Sequence, residues 1–146
     1  MGHRQMGKDE IVCGSDGWPL ILNTGKYYET QCVRYDRSFV LGKSRKLFLH
    51  FNIIEQGEHF GKVLFMPFNI PYDQKVRSGS KYYKTWVMVN GWKKPSRNAV
   101  MSPRLFLNKI FRVKIRTVKP HMPNSKKEMP EDFWYSVVDS IVEVGP

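Results

Sequence analysis

Cysteine is scarce in this chain: Cys13 and Cys32 are the only two in 146 residues. Two thiols cannot make a disulfide framework, and their positions lack the paired spacing of a zinc site. Histidine is dispersed as His3, His50, His59 and His121, with no two placed to share a helical face. No metal, no cofactor and no thiol chemistry is therefore expected. Long hydrophobic runs are missing as well; none approaches the roughly 18 residues that would span a bilayer. The opening Met-Gly-His-Arg-Gln-Met-Gly has no apolar segment behind its charges and no Ser or Thr where a myristoylation signal wants one. A cytoplasmic protein without membrane contact is the expectation, and no basic amphipathic helix argues against it. Acidic residues are the last shortage: 13 Asp and Glu stand against 24 Lys and Arg, a net charge of +11.

That surplus, with a pI near 9.8, implies a sustained positive field that attracts polyanions, nucleic acid the commonest among them. Aromatic residues make up 14% of the chain. Cations mixed with aromatics favour unpaired strands, whose bases have open faces to stack on.

One stretch gathers both properties. Lys109 to Lys119 alternates strictly, so Phe111, Val113, Ile115 and Thr117 fall on one side of an extended strand. Arg112, Lys114 and Arg116 fall on the other, roughly 7 Å apart, close to the phosphate repeat of an extended strand. Two further strands are legible before it. Lys26 to Tyr35 is the first, and Arg45 to Glu55 the second, with Leu47, Leu49, Phe51 and Ile53 on one face and Lys46, Phe48, His50 and Asn52 on the other. A loop from Tyr35 to Ser44 joins them and carries Arg37, Phe39 and Lys43. A third strand covers Lys62 to Asn69, where Pro67 marks an edge or a bulge. Ser80 to Gly91 has a helix period, with Ser80 as cap and Asn-Gly as stop. A basic loop follows, holding Trp92, Lys93, Lys94 and Arg97, and Ser102-Pro103 starts one short helical turn. A polar loop from Pro120 to Asp132 leads to a last strand, Phe133 to Val144. In that strand Tyr135, Val137 and Ile141 compete with Val138, Val142 and Val144 for the buried face. Residues 10–22 suggest a small hairpin, so 1–25 form an N-terminal arm and 26–146 a single domain.

Strand, strand, strand, helix, strand, strand is the order of an OB-fold, a five-stranded Greek-key barrel with its helix between the third and fourth strands. A mainly β fold of that kind is expected. Such a barrel binds oligonucleotides on the face of strands two and three, between the loops joining strands one to two and four to five.

The run Lys46-Leu-Phe-Leu-His-Phe-Asn-Ile-Ile-Glu, followed by Gly61-Lys-Val-Leu-Phe-Met-Pro-Phe-Asn69, resembles single-stranded-DNA-binding proteins of phages and mobile elements. Leu107-Asn-Lys-Ile-Phe-Arg-Val-Lys resembles their return strand after the helix. The similarity covers about 75 residues, and it implies single-strand binding in replication or recombination. The chain departs from the pattern by ending Val-Gly-Pro instead of in an acidic tail, which leaves partner recruitment open.

The candidate nucleic-acid contacts are therefore Arg37, Phe39, Lys43, Lys46, Phe48, His50, Lys62, Trp92, Lys93, Lys94, Arg97, Arg112, Lys114 and Arg116. The expected partner is single-stranded DNA or RNA, with little sequence preference and without catalysis. Oligomeric state stays open, a homo-oligomer included. Two other classes compete. Glu55, Glu58, Glu128, Glu131 and Asp132 could serve a small metal-dependent nuclease, and the charge could instead meet an acidic protein partner in a structural or inhibitory role.

Overall fold

The computed structural model describes residues 21–40, 44–71 and 73–146, with the side chains of 38–40 and 44 outside that description. The hairpin expected over 10–22 lies almost wholly outside it. Five strands form one antiparallel sheet: β1 (Tyr27–Val40), β2 (Ser44–Ile53), β3 (Val63–Ile70), β4 (Ile110–Val118) and β5 (Tyr135–Val144). Their order is β3-β2-β1-β4-β5. Every pairing is antiparallel, so β3 and β5, the two outermost strands, run in the same direction. No hydrogen-bonded ladder joins those two among the described residues, and the sheet is not closed. They meet instead through side chains: the rings of Phe65 and Tyr135 lie 6.1 Å apart. Pro67 sits in β3, at the sheet edge where its missing N–H costs nothing.

Alternation sorts the strands as their sequences require. Leu47, Leu49, Phe51 and Ile53 of β2 are buried against Leu64, Met66 and Phe68 of β3 and Phe111, Val113 and Ile115 of β4. Cys32 sits among them fully buried, and loss of hydration pushes its thiol up to about 12. It is an inert core residue.

Two departures from plain alternation matter. β1 runs on through the segment expected to be a loop, reaching Val40, and carries an extra residue at Val33 where the register to β2 slips between Cys32 and Arg34. A bulge of this kind rotates everything beyond it by one position. Tyr28, Thr30 and Cys32 point to the core before it; Tyr35 and Arg37 share the core-side face after it, opposite Leu49 and Leu47. β5 also changes phase, because its pairing with β4 is irregular at Arg112/Val113 and at Lys114/Ile115. Val138 and Ile141, three residues apart, consequently both reach the core, one from each of the competing faces, while Val137 is buried on the other side, opposite Arg116.

Helix α1 (Lys81–Val89) starts where Ser80 Oγ accepts from the Tyr83 N–H. The 3₁₀ turn η1 (Pro103–Phe106) starts likewise on Ser102. Tyr82 donates to the Met101 carbonyl at 2.6 Å and Trp86 Nε1 to that of Ser102 at 3.0 Å. Burial holds the Tyr82 phenol well above its usual value, so it remains a donor at any working pH. Tyr82 also meets Phe68 edge to face and Phe106 at a tilt, and Phe106 meets Phe111 in the sheet. Helix, 3₁₀ turn and the loop between them are thereby bolted as one cap onto the sheet. Among the described residues no helix is long and apolar enough to cross a membrane.

Candidate nucleic-acid interface

The outer face of β2 and β3 carries the residues the barrel reading selected. Lys46, Phe48 and His50 stand there opposite Asn69, Pro67 and Phe65. Phe48 is half-buried and sets its ring edge-on to Phe65 at 5.6 Å, and Phe65 continues to Tyr135. The three rings make a row crossing from β2 over the seam to β5. His50 Nε2 lies 2.7 Å from Asp36 Oδ2 on the neighbouring strand, and Arg34 is 3.6 Å from the same oxygen. This face is aromatic and only weakly basic. Lys62 adds an exposed cation at the turn into β3. Phe39 and Lys43 fall where side chain or residue lies outside the described part.

The basic ladder of β4 points outward as its alternation requires. β1 lies between β4 and β2, so the ladder stands one strand away from Phe48 across the outer side of the sheet. Its outer members are also committed to acids. Arg112 Nε donates to Glu29 Oε1 at 2.8 Å and its Nη1 lies 3.3 Å from Glu143, an acid–base–acid row across β1, β4 and β5. The hydrogen bond to Glu29, with Glu143 behind it, raises the pKa of the guanidinium further. Arg116 Nε sits 3.3 Å from Asp139. Only Lys114 of the three has no carboxylate partner among the described residues. A phosphate arriving here would compete with carboxylates for both arginines. Arg112→Gln is accordingly expected to change oligonucleotide affinity by less than about threefold, within the range of an exposed ion pair worth ~0–1 kcal/mol. A filter-binding comparison with the unaltered protein checks it.

The uncompensated charge lies elsewhere, and a pattern in the sequence marks it. From Gln74 to Lys127 there is no Asp or Glu, yet fifteen of the 24 Lys and Arg residues fall in that stretch. The rest of the chain holds nine cations against all 13 acids. The whole positive excess therefore belongs to the cap, β4 and the loop after β4. On β4 it is largely answered by acids from flanking strands. On the cap and the β3–α1 connector leading into it, it is not: Lys75, Arg77, Lys81, Lys84, Lys93, Lys94, Arg97 and Arg104 have no carboxylate within 4 Å among the described residues. Five of these were not singled out from sequence; the acid-free run is the signal that would have found them.

Trp92, Lys93, Lys94 and Arg97 are placed on this cap, all exposed. The chain leaves α1 through two successive left-handed residues, Gly91 at φ +72° and Trp92 at φ +63°. That turn brings the Trp92 N–H back to the Val87 carbonyl at 2.9 Å and leaves the indole 73% exposed. A bulky residue held at positive φ and aimed at water is unusual enough to suggest a use. Arg37, rotated inward by the bulge at Val33, reaches the same cap from the end of β1 and donates to Gln74 Oε1 at 3.0 Å. The structure thus joins Arg37 to the Trp92–Arg97 group, not to the Phe48 face where the loop reading had put it.

The acids considered for a nuclease do not converge. Burial alone would raise the Glu55 pKa, but the Lys26 ammonium at 2.9 Å and the Glu29 N–H hold it below the usual carboxylate range. Glu58 lies against His59, and Glu131 and Asp132 open a 3₁₀ turn before β5. Among the described residues no three His, Cys, Asp or Glu side chains come together as a metal set. Compared with protein-family models, with curated proteins and with solved structures, the chain gives no match.

Proposed function

We propose that this chain binds single-stranded nucleic acid with little sequence preference, its phosphates held by the cationic cap and its bases stacked on Trp92. The observation that carries the proposal is the set of eight cations, on the cap and the connector leading into it, with no carboxylate within 4 Å among the described residues, on the part of the fold that also exposes Trp92. Uncompensated cations at that density repel one another, and a polyanion relieves the repulsion while releasing its own counterions. The strand order, with β3 and β5 parallel and in ring contact, favours reading the sheet as an OB-type barrel open at that seam. The row Phe48–Phe65–Tyr135 then lies on the face such barrels use, and the Lys126/Lys127 loop beside it. A place in replication or recombination, where unpaired strands arise, follows from the ligand.

Fluorescence anisotropy of labelled oligo-dT at rising salt tests the proposal. Log affinity should fall linearly with log salt, by about −0.7 for each phosphate neutralised, and duplex of equal length should bind less tightly. No binding at low salt, or binding indifferent to salt, would overturn it and move the charge to an acidic protein partner. Substrate recovered intact after incubation with Mg²⁺ or Mn²⁺ is the expected result for a binder.

Trp92 supplies a second test. Trp92→Gly removes a stacking platform worth roughly 1–3 kcal/mol per base. It also relieves the left-handed strain at that position, about 1 kcal/mol. The variant should bind oligo-dT about tenfold more weakly or worse, yet unfold at slightly higher urea. Loss of stability together with loss of binding would show the indole to be a packing residue.

A further inference from the structure

Between the cap and the sheet end lies a cleft of about 690 Å³. Its walls come from β1, β2, the β3–α1 connector, α1 and the loop before η1, and none of its lining residues is acidic. Arg37, Lys75 and Arg97 converge on it from three separate elements. Arg37 uses one of a guanidinium's five N–H donors on Gln74; the side chains of Lys75 and Arg97 have no carboxylate within 4 Å among the described residues. Val76, Tyr83 and Val100 add apolar and aromatic surface to the same lining, Val100 at its exposed rim.

A cavity that collects three cations and no acidic lining residue among the described ones is electrostatically incomplete when empty, the nearby Asp73 carboxylate being held by the Lys75 backbone N–H at 3.0 Å. The backbone around it is strained as well. Of the described non-glycine residues at positive φ, Gln74 (+59°) and Asn98 (+65°) both line the cleft, and such strain gathers where a ligand is held. The volume falls within the ~300–1,000 Å³ typical of small-ligand sites. It is too small for duplex and suits a phosphate joined to one planar base. Arginine forks match phosphate oxygens in pairs, and a tyrosine ring beside branched apolar side chains suits the base.

We infer that the cleft is a pocket for a single nucleotide, phosphate on Arg37, Lys75 and Arg97 and base against Tyr83 and Val100. This deepens the single-strand reading and rests on it only for the source of the ligand, a nucleotide of a bound strand instead of a free one.

The test is an amide-resolved NMR titration of the whole chain with thymidine 5′-monophosphate, and separately with thymidine and with inorganic phosphate. The monophosphate should saturate and shift Lys75–Ser78 and Arg97–Met101, about tenfold more tightly than either half alone. Arg97→Gln, on an exposed loop where folding is not at risk, should weaken it about tenfold. Val100→Glu, which sets a carboxylate in the apolar wall, should do the same or worse. Equal, unsaturable shifts from phosphate and nucleotide, or shifts spread over Lys126 and Lys127, would overturn the pocket. Oligo-dT titrations on the same samples separate the two readings. Strand binding without cleft shifts sinks the pocket and spares the strand reading; nucleotide in the cleft without strand binding sinks the strand reading and leaves a pocket for free nucleotide.

Discussion

Replacing Phe106 by alanine is expected to lower the unfolding free energy by about 3–5 kcal/mol, a large share of the ~5–15 kcal/mol that holds a domain of this size. Phe106 has no exposed surface. Its ring lies 6.2 Å from that of Tyr82 in the helix and 6.3 Å from that of Phe111 in β4, which in turn meets Phe51 of β2 at 6.0 Å. It is therefore the wedge between cap and sheet, and the collapse needed to fill its space would have to move one against the other. Phe106→Leu keeps most of the volume and should cost less than about 1.5 kcal/mol. Urea melts give both values. Hydrogen exchange adds a locational reading: in the alanine variant residues 81–104 should lose protection before β1 and β2 do. A cost below about 1 kcal/mol for Phe106→Ala would mean that the cap is held by its polar anchors, Tyr82 to Met101 and Trp86 to Ser102, and not by this ring.

Much of this arrangement is legible in the sequence, and what is not has a physical reason. Strands β2, β3 and β4, helix α1 with its Ser80 cap and the turn capped by Ser102 follow from local signals: alternation, an N-cap hydroxyl, a proline at the first helical position. These are properties of a few adjacent residues, so one chain suffices to read them. The register shifts are not local in that sense. Nothing in Cys32-Val33-Arg34 announces that β1 gains a residue against β2, yet this step carries Arg37 from the outer groove to the cap. The ion pairs of β4 are hidden for the same reason. Arg112 and Arg116 look free when β4 is read alone, and become paired only because Glu29, Glu143 and Asp139 arrive on flanking strands. The distribution of acids along the chain was available throughout. Read as a total, +11 only says that a polyanion is attracted; read by position, the empty stretch from Gln74 to Lys127 says where.

Neutralising Lys84, Lys93, Lys94 and Arg104 together to glutamine is expected to weaken oligo-dT binding by two to three orders of magnitude near 0.1 M salt, and to flatten the salt slope by up to about 2.8, at ~0.7 per phosphate. All four are exposed and lack carboxylate partners among the described residues, so each change should move stability by no more than about 0.5 kcal/mol. Affinity loss is then not a folding defect. The decisive comparison is a second quadruple variant, Lys26, Arg34, Arg112 and Arg116 to glutamine, which lowers the net charge by the same amount. Those four are engaged with Glu55, Asp36, Glu29 and Asp139, and their removal costs ~0–1 kcal/mol of stability apiece. If phosphates are bound locally by the cap, the second variant should lose about tenfold or less, through the weakened long-range field alone, and keep most of its salt slope. If affinity follows only the total charge, the two variants will fall together, and the cap is no more an interface than any other basic surface of the molecule. Equal charge removed from two places, with unequal results, is what a localised phosphate-binding face requires.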